Sequence, residues 1–142
     1  TSFVWDFHAD LNNATVDEGM RYVGAPFDKA VSAFIEDCEA RGLGDKVLLV
    51  CCGEMGRTPK VNKKGGRDHW GRLSPLMLYG GGHPGGQVIG QSDADAGEPV
   101  TNEHLVATVM QTLFDIGELR LVQGVPPEIL RVATHEGIKG LV

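Results

Sequence analysis

The chain has 142 residues, 42% hydrophobic and 23% charged, which suits one globular domain or a piece of a larger one. Its formal net charge of −6 excludes a general nucleic-acid or membrane-surface binder. The three cysteines, Cys38, Cys51 and Cys52, have no CxxC spacing, which excludes a zinc knuckle or a dithiol redox motif; each reads as a small core residue. No signal peptide or membrane span is legible. The chain has no initiator Met and opens in apolar Phe3-Val4-Trp5. That points to the C-terminal part of a single larger domain, residues 1–142, with the N-terminal part and any targeting signal absent.

In chain order, Ser2 to Trp5 reads as a short buried strand ending at Asp6. Residues 9–25 are polar and irregular, a loop with some helical turn. Residues 26–41 form an amphipathic helix, with Phe27, Ala30, Val31, Phe34, Ile35 and Cys38 on one stripe. Pro26 suits its first turn and Gly42 its stop. Lys46 to Cys52 (KVLLVCC) is a continuous apolar run, the pattern of a strand buried on both faces of a largely parallel sheet. Residues 53–73 are a long polar loop, Ser74 to Tyr79 a further strand, and Gln87 to Ile89 a short one. Residues 91–99 are an acidic loop. Thr101 caps a second amphipathic helix to about Ile116, with Leu105, Val106, Val109, Met110, Leu113 and Phe114 as its stripe. The tail from Gly117 is ambiguous, with Pro126-Pro127 breaking any helix.

Three polar clusters follow the ends of predicted strands: Asp6 and His8, then Glu54, then Asp68 and His69. In open parallel sheets, sites form beyond the carboxyl ends of the strands. Hard oxygens with imidazoles are the donors of a catalytic divalent metal site. Asp6, His8, Glu54 and His69 supply those donors, with Asp68 either a ligand or a partner orienting an imidazole. The same loop holds Arg57, Lys60, Lys63, Lys64, Arg67 and Arg72, six of the 13 cationic residues of an acidic chain. With a metal, such a loop suits a phosphate or sulfate ester. Each feature also has a plainer reading. Asp6 and His8 fit a capped loop, Glu54 a turn ion pair with Arg57, the basic run a solvated surface, and Trp70 a packing anchor. His83 fits a turn residue, and His104 and His135 structural or exposed positions.

The order of "WDFH", "GEMGRTPKVN", "GRDHWG", "LYGGGHPGGQVIGQSD" and "PVTNEHLVATVMQTL" resembles the bacterial "domain of unknown function 1501" proteins, from Asp6 to about Ile116. That family looks like a branch of the alkaline phosphatase and sulfatase superfamily. The resemblance implies an α/β sandwich, a central mostly parallel sheet flanked by helices, with metal at the strand ends. It also implies an exported, periplasmic protein. Asp6 and His8 resemble the superfamily's Asp and His ligands, although that pair is usually spaced more widely, and His69 resembles the later histidine. Glu54-Met55 stands where phosphatases carry Asp-His for a second metal. The superfamily nucleophile comes from a segment before Thr1.

The expectation is therefore a divalent-metal-dependent hydrolase (zinc, calcium or manganese) of a small-molecule or glycan phosphate or sulfate ester. Its alternative is a non-catalytic protein binding metal or sulfated glycan on the same fold. Asp6, His8, Asp68 and His69 are the metal candidates, Glu54 and Arg57 the catalytic ones, and Lys63 and Arg67 the substrate-binding ones. Asn62 matches the family motif without an assigned role. The sequence does not fix the oligomeric state.

Overall fold

A computed structural model describes residues 4–92, 97 and 100–141. The chain is mixed α/β. Helix α1 (Val16–Gly19) runs through a π-helical turn, Met20–Gly24, into α2 (Ala25–Ala40). Strands β1 (Leu48–Cys52), β2 (Gly56–Arg57), β3 (His69–Trp70) and β4 (Leu76–Gly80) follow. Helices α3 (Asn102–Leu113), α4 (Ile116–Leu119) and α5 (Pro127–Ala133) complete it.

The helices arise where capping and periodicity agree. The Thr15 hydroxyl accepts the Glu18 amide and starts α1. Pro26 occupies the first turn of α2, and Gly42 follows its end at φ 64°, the left-handed conformation that closes a helix at little steric cost. Thr101 caps α3 by accepting the His104 amide, and His104 Nδ1 reaches back to the Thr101 amide. This is a capping box with histidine at the third position. The helix stops at Phe114, short of Ile116, because Asp115 caps α4 at once through Glu118. The two prolines do not break the tail helix. Pro127 opens α5 from its first turn, where no backbone N–H is needed.

The expectation of a largely parallel sheet does not hold among the described strands. β2 and β3 pair antiparallel, with Gly56 opposite Trp70 and Arg57 opposite His69. β1 and β4 form the other two-stranded sheet. The Gly81 amide donates to Val47 O at one of its ends, and the Gly53 amide to Pro75 O at the other, an antiparallel register. The reason is the connection. Residues 53–75 fold back on themselves through β2 and β3, so the chain returns as a hairpin instead of crossing over with a helix. Nor is KVLLVCC buried on both faces. Cys51 is half-buried and Cys52 exposed, leaving Cys38 as the buried thiol. Val4 and Trp5 are not in a strand, and the rest of that predicted strand lies outside the described residues. Residues 87–89 form no strand either, with Val88 fully in solvent. The acidic loop 91–99 falls largely outside the described residues.

The chain divides into two compact units, residues 1–42 with 50–78, and residues 43–49 with 79–142. In the first, Phe7, Ala9, Ala14 and Cys38 are buried. Trp5 stands edge-on to Phe27, ring centroids 5.4 Å apart, and leans on Phe7. Of the α2 stripe only Cys38 is buried, and Phe27 and Phe34 are exposed. In the second unit, Ala107, Thr108, Ala133 and Ile138 are buried where α3 packs on α5. The Ile138 amide donates to the Thr108 hydroxyl, and Gln111 donates to the carbonyls of Ala133 and His135.

Candidate metal centre

The site lies wholly within the first unit and is built on three backbone segments. The first is Asp6 to Asn13. Phe7 turns inward against Gly19, where an added Cβ would fall 2.2 Å from its ring. With Phe7 buried between them, the half-buried Asp6 and His8 side chains meet each other through a hydrogen bond. The second and third segments are β2 and β3. Their register sets Arg57 opposite His69, and both side chains reach Asp6.

One carboxylate oxygen is the hub. Asp6 Oδ1 accepts from His8 Nδ1 at 2.7 Å, from His69 Nε2 at 3.0 Å and from Arg57 Nη2 at 3.1 Å. The two imidazoles meet edge to face, centroids 5.1 Å apart. Asp6, His8 and His69 each offer one donor atom, all within 4.8 Å of one another. Arg57 Nη2 also donates to Trp5 O, while its Nη1 is buried without a hydrogen-bond partner. Its guanidinium is therefore held on the Asp6 side of the loop.

Burial pushes the Asp6 carboxyl up, but hydrogen bonds from His8 and His69 and the Arg57 charge outweigh it, leaving Asp6 below its usual 3.8. The hydrogen bond to Asp6 lifts His8 above its usual 6.5; burial opposes this and Asp10 adds to it. The sign follows for each group. The contribution of Asp6 is present above pH 3.8 and lost as pH falls through its lower folded value. That of His8 is complete below pH 6.5 and lost as pH rises through its higher folded value. Without a metal, the cluster should thus hold best between pH 3.8 and 6.5. Urea unfolding midpoints of metal-free protein should decline on both sides of that window, and a His8→Gln variant should lose the alkaline decline.

The other predicted site residues are placed differently. Asp68 does not join the cluster; its carboxylate accepts from Asn62 Nδ2 at 3.0 Å. Glu54 is exposed, with its carboxylate 4.0 Å from the edge of Arg57. Lys63 is exposed. Arg67 is engaged in structure: its Nη1 donates to Thr58 O and its amide to Phe7 O. Trp70 is half-buried in β3.

Three residues gain roles that the sequence did not reveal. Asn62 ties the loop together, its Nδ2 donating to His8 O and its Oδ1 accepting the amides of Lys64 and Gly66. Asp10 Oδ2 accepts from His8 Nε2 at 2.9 Å, and Asn13 closes the same turn. The stretch Asp10-Leu-Asn-Asn is a legible turn signal. What spacing does not reveal is Ala9 at φ 57°, which curls the turn back onto His8. In the second unit the histidines serve structure. His83 bonds Leu141 O and the Thr112 hydroxyl, His104 caps α3, and His135 leans on His104.

A family model described as "Protein of unknown function (DUF1501)" matches residues 1–119. No curated protein matches the chain, and no solved structure does. No helix among the described residues is long and apolar enough to cross a membrane.

Proposed function

The chain belongs to the DUF1501 family, whose description assigns no activity, and we propose from the site itself that it is part of a divalent-metal-dependent hydrolase of phosphate or sulfate esters. One observation carries this reading: two imidazole nitrogens and a carboxylate oxygen, from segments 63 residues apart, converge within 4.8 Å. That donor set fits a catalytic ion with three protein ligands, and it favours zinc over calcium or manganese. Asp6, His8 and His69 would hold the ion. Bound there, it would act as a Lewis acid on an ester oxygen.

The chain's own residues have distinct tasks in this reading. Arg57 keeps Asp6 ionised and oriented. Lys60, Lys63 and Lys64, all exposed beside the site in sequence, raise the local concentration of an anionic substrate. Asp68 and Asn62 hold the loop that presents His69. The alkaline-phosphatase-like sandwich and an exported location belong to the same reading. The mixed helices and strands agree with that fold class, while parallel pairing is absent from the described strands.

The test is metal analysis of full-length protein and of His69→Ala, with turnover of aryl phosphate and aryl sulfate in zinc, manganese or calcium. The expected result is bound zinc in the parent, its loss in the variant, and metal-dependent ester cleavage. Equal metal content in the two proteins overturns the assignment. Metal uptake without turnover of either ester points to a binding role for metal or sulfated glycan.

A further inference from the structure

We propose that Asp10 is the positioning residue of this centre: its carboxylate holds His8 Nε2–H and so turns Nδ1 toward Asp6 and His69. The inference rests on the metal reading above and adds an outer residue to it.

The two oxygens of Asp10 have separate partners. Oδ1 accepts the backbone amides of Asn12 and Asn13 at 2.7 and 2.9 Å, and Asn13 Nδ2 at 3.2 Å. Three donors fix that oxygen in the turn. Oδ2 is left for His8 Nε2 at 2.9 Å. Asn13 Nδ2 also lies 3.1 Å from that nitrogen; with Nε2 protonated its two hydrogens point elsewhere, one of them to Asp10 Oδ1. A carboxylate beside Nε2 requires a proton there. Nδ1 stands 2.7 Å from Asp6 Oδ1, so without metal the ring meets both carboxylates with a proton on each nitrogen; a cation held by Asp6 would displace the Nδ1 proton, while Asp10 keeps the one on Nε2. Holding one imidazole nitrogen through a carboxylate so that the other can ligate is the usual outer support of a metal-bound histidine.

The same geometry makes Asp10→Asn a sharp probe. The three donors on Oδ1 require an oxygen at that place, so the Asn amide must put its NH2 toward His8 Nε2. A donor there selects the tautomer with its single proton on Nδ1 and closes that nitrogen to a metal. Asp10→Ser keeps the turn through its hydroxyl but leaves His8 Nε2 without a carboxylate.

The experiment measures zinc affinity by chelator competition, and the 15N spectrum of the His8 imidazole, in full-length parent, Asp10→Asn and Asp10→Ser. The expected result is a loss of affinity of about 10- to 100-fold in Asp10→Asn and a smaller one in Asp10→Ser. Metal-free Asp10→Asn should carry its His8 proton on Nδ1 alone, where the metal-free parent also holds one on Nε2 and the zinc-loaded parent holds one on Nε2 only. A role confined to the turn would leave that spectrum unmoved. Equal zinc affinity in all three proteins, or retention of the Nε2–H tautomer in Asp10→Asn, overturns the proposal. Should Asp10→Asn fail to fold, unchanged affinity in Asp10→Ser overturns it. A parent that binds no zinc refutes the metal reading, and the His8 spectrum alone then decides the positioning role.

Discussion

Asp6→Ala should abolish metal uptake and loosen the 53–75 loop in a single substitution. Three donors, from His8, His69 and Arg57, converge on Asp6 Oδ1. Without it, both imidazoles lose their shared partner. The Arg57 guanidinium, already burying Nη1 without a partner, keeps among the described residues the Trp5 carbonyl and the distant edge of Glu54. Leaving charged hydrogen-bonding groups unmatched costs about 1.5–3 kcal/mol, and partial exposure of the site places the loss near the lower end, about 2 kcal/mol. Losing an outer partner of a metal ligand costs about 10- to 100-fold in affinity, so loss of the ligand itself should exceed about 100-fold. Asp6→Asn separates the two effects. It keeps an oxygen for the histidines and the fold, yet removes the charge that a cation needs. Urea unfolding and metal titration of the two variants check this. An unfolding midpoint unchanged in Asp6→Ala would show that the hub carries no stability.

The second large effect should come from Gly66→Ala. An added Cβ would lie 2.3 Å from His8 C, 2.6 Å from His8 O and 2.7 Å from Ala9 N. All three are backbone atoms and cannot rotate aside, so the two segments must separate. Forced overpacking of this kind costs about 1–3 kcal/mol. The hydrogen bonds between Gly66 and Asn62, and that from Asn62 to His8 O, lie in the same seam. Widening it would move Asp6 and His8 away from His69, so zinc affinity should fall together with the melting temperature. Gly71→Ala is the matched control, because nothing lies within 4 Å of its added Cβ. Equal melting temperatures for the two variants would argue against the close approach of His8 and Gly66.

The two long helices, α2 and α3, were legible because short-range chemistry determines them, whereas α1, α4 and α5 were not read from the sequence. The apolar period of 26–41, Pro26, Gly42 and the Thr101 cap are all local, and α2 and α3 follow them within a few residues. Strand direction was not legible. KVLLVCC fits a buried parallel strand by pattern, but its partner is decided by how residues 53–75 return, and that depends on four residues pairing as β2 and β3. The site divides in the same way. Asp6, His8 and His69 stood out as metal-donor types beside predicted strands. Asp68 stood out equally, yet its carboxylate goes to Asn62, a partner visible only in three dimensions. The cationic run suggested free anion contacts, whereas Arg57 and Arg67 are held by Asp6 and Thr58. Asp10 escaped notice because its reach to His8 depends on one backbone torsion.

That torsion has a consequence for anyone wishing to transplant the centre. A left-handed alanine costs about 1–2 kcal/mol, and Ala9 is further tied by its amide to Ala14 O. Copying Asp6, His8 and His69 onto a straight strand of another scaffold would reproduce the ligands and lose the brace behind them. The portable unit is the closed loop from Asp6 to Ala14, carried with its bent backbone, and a host must offer a cavity for Phe7 before it can offer a place for metal.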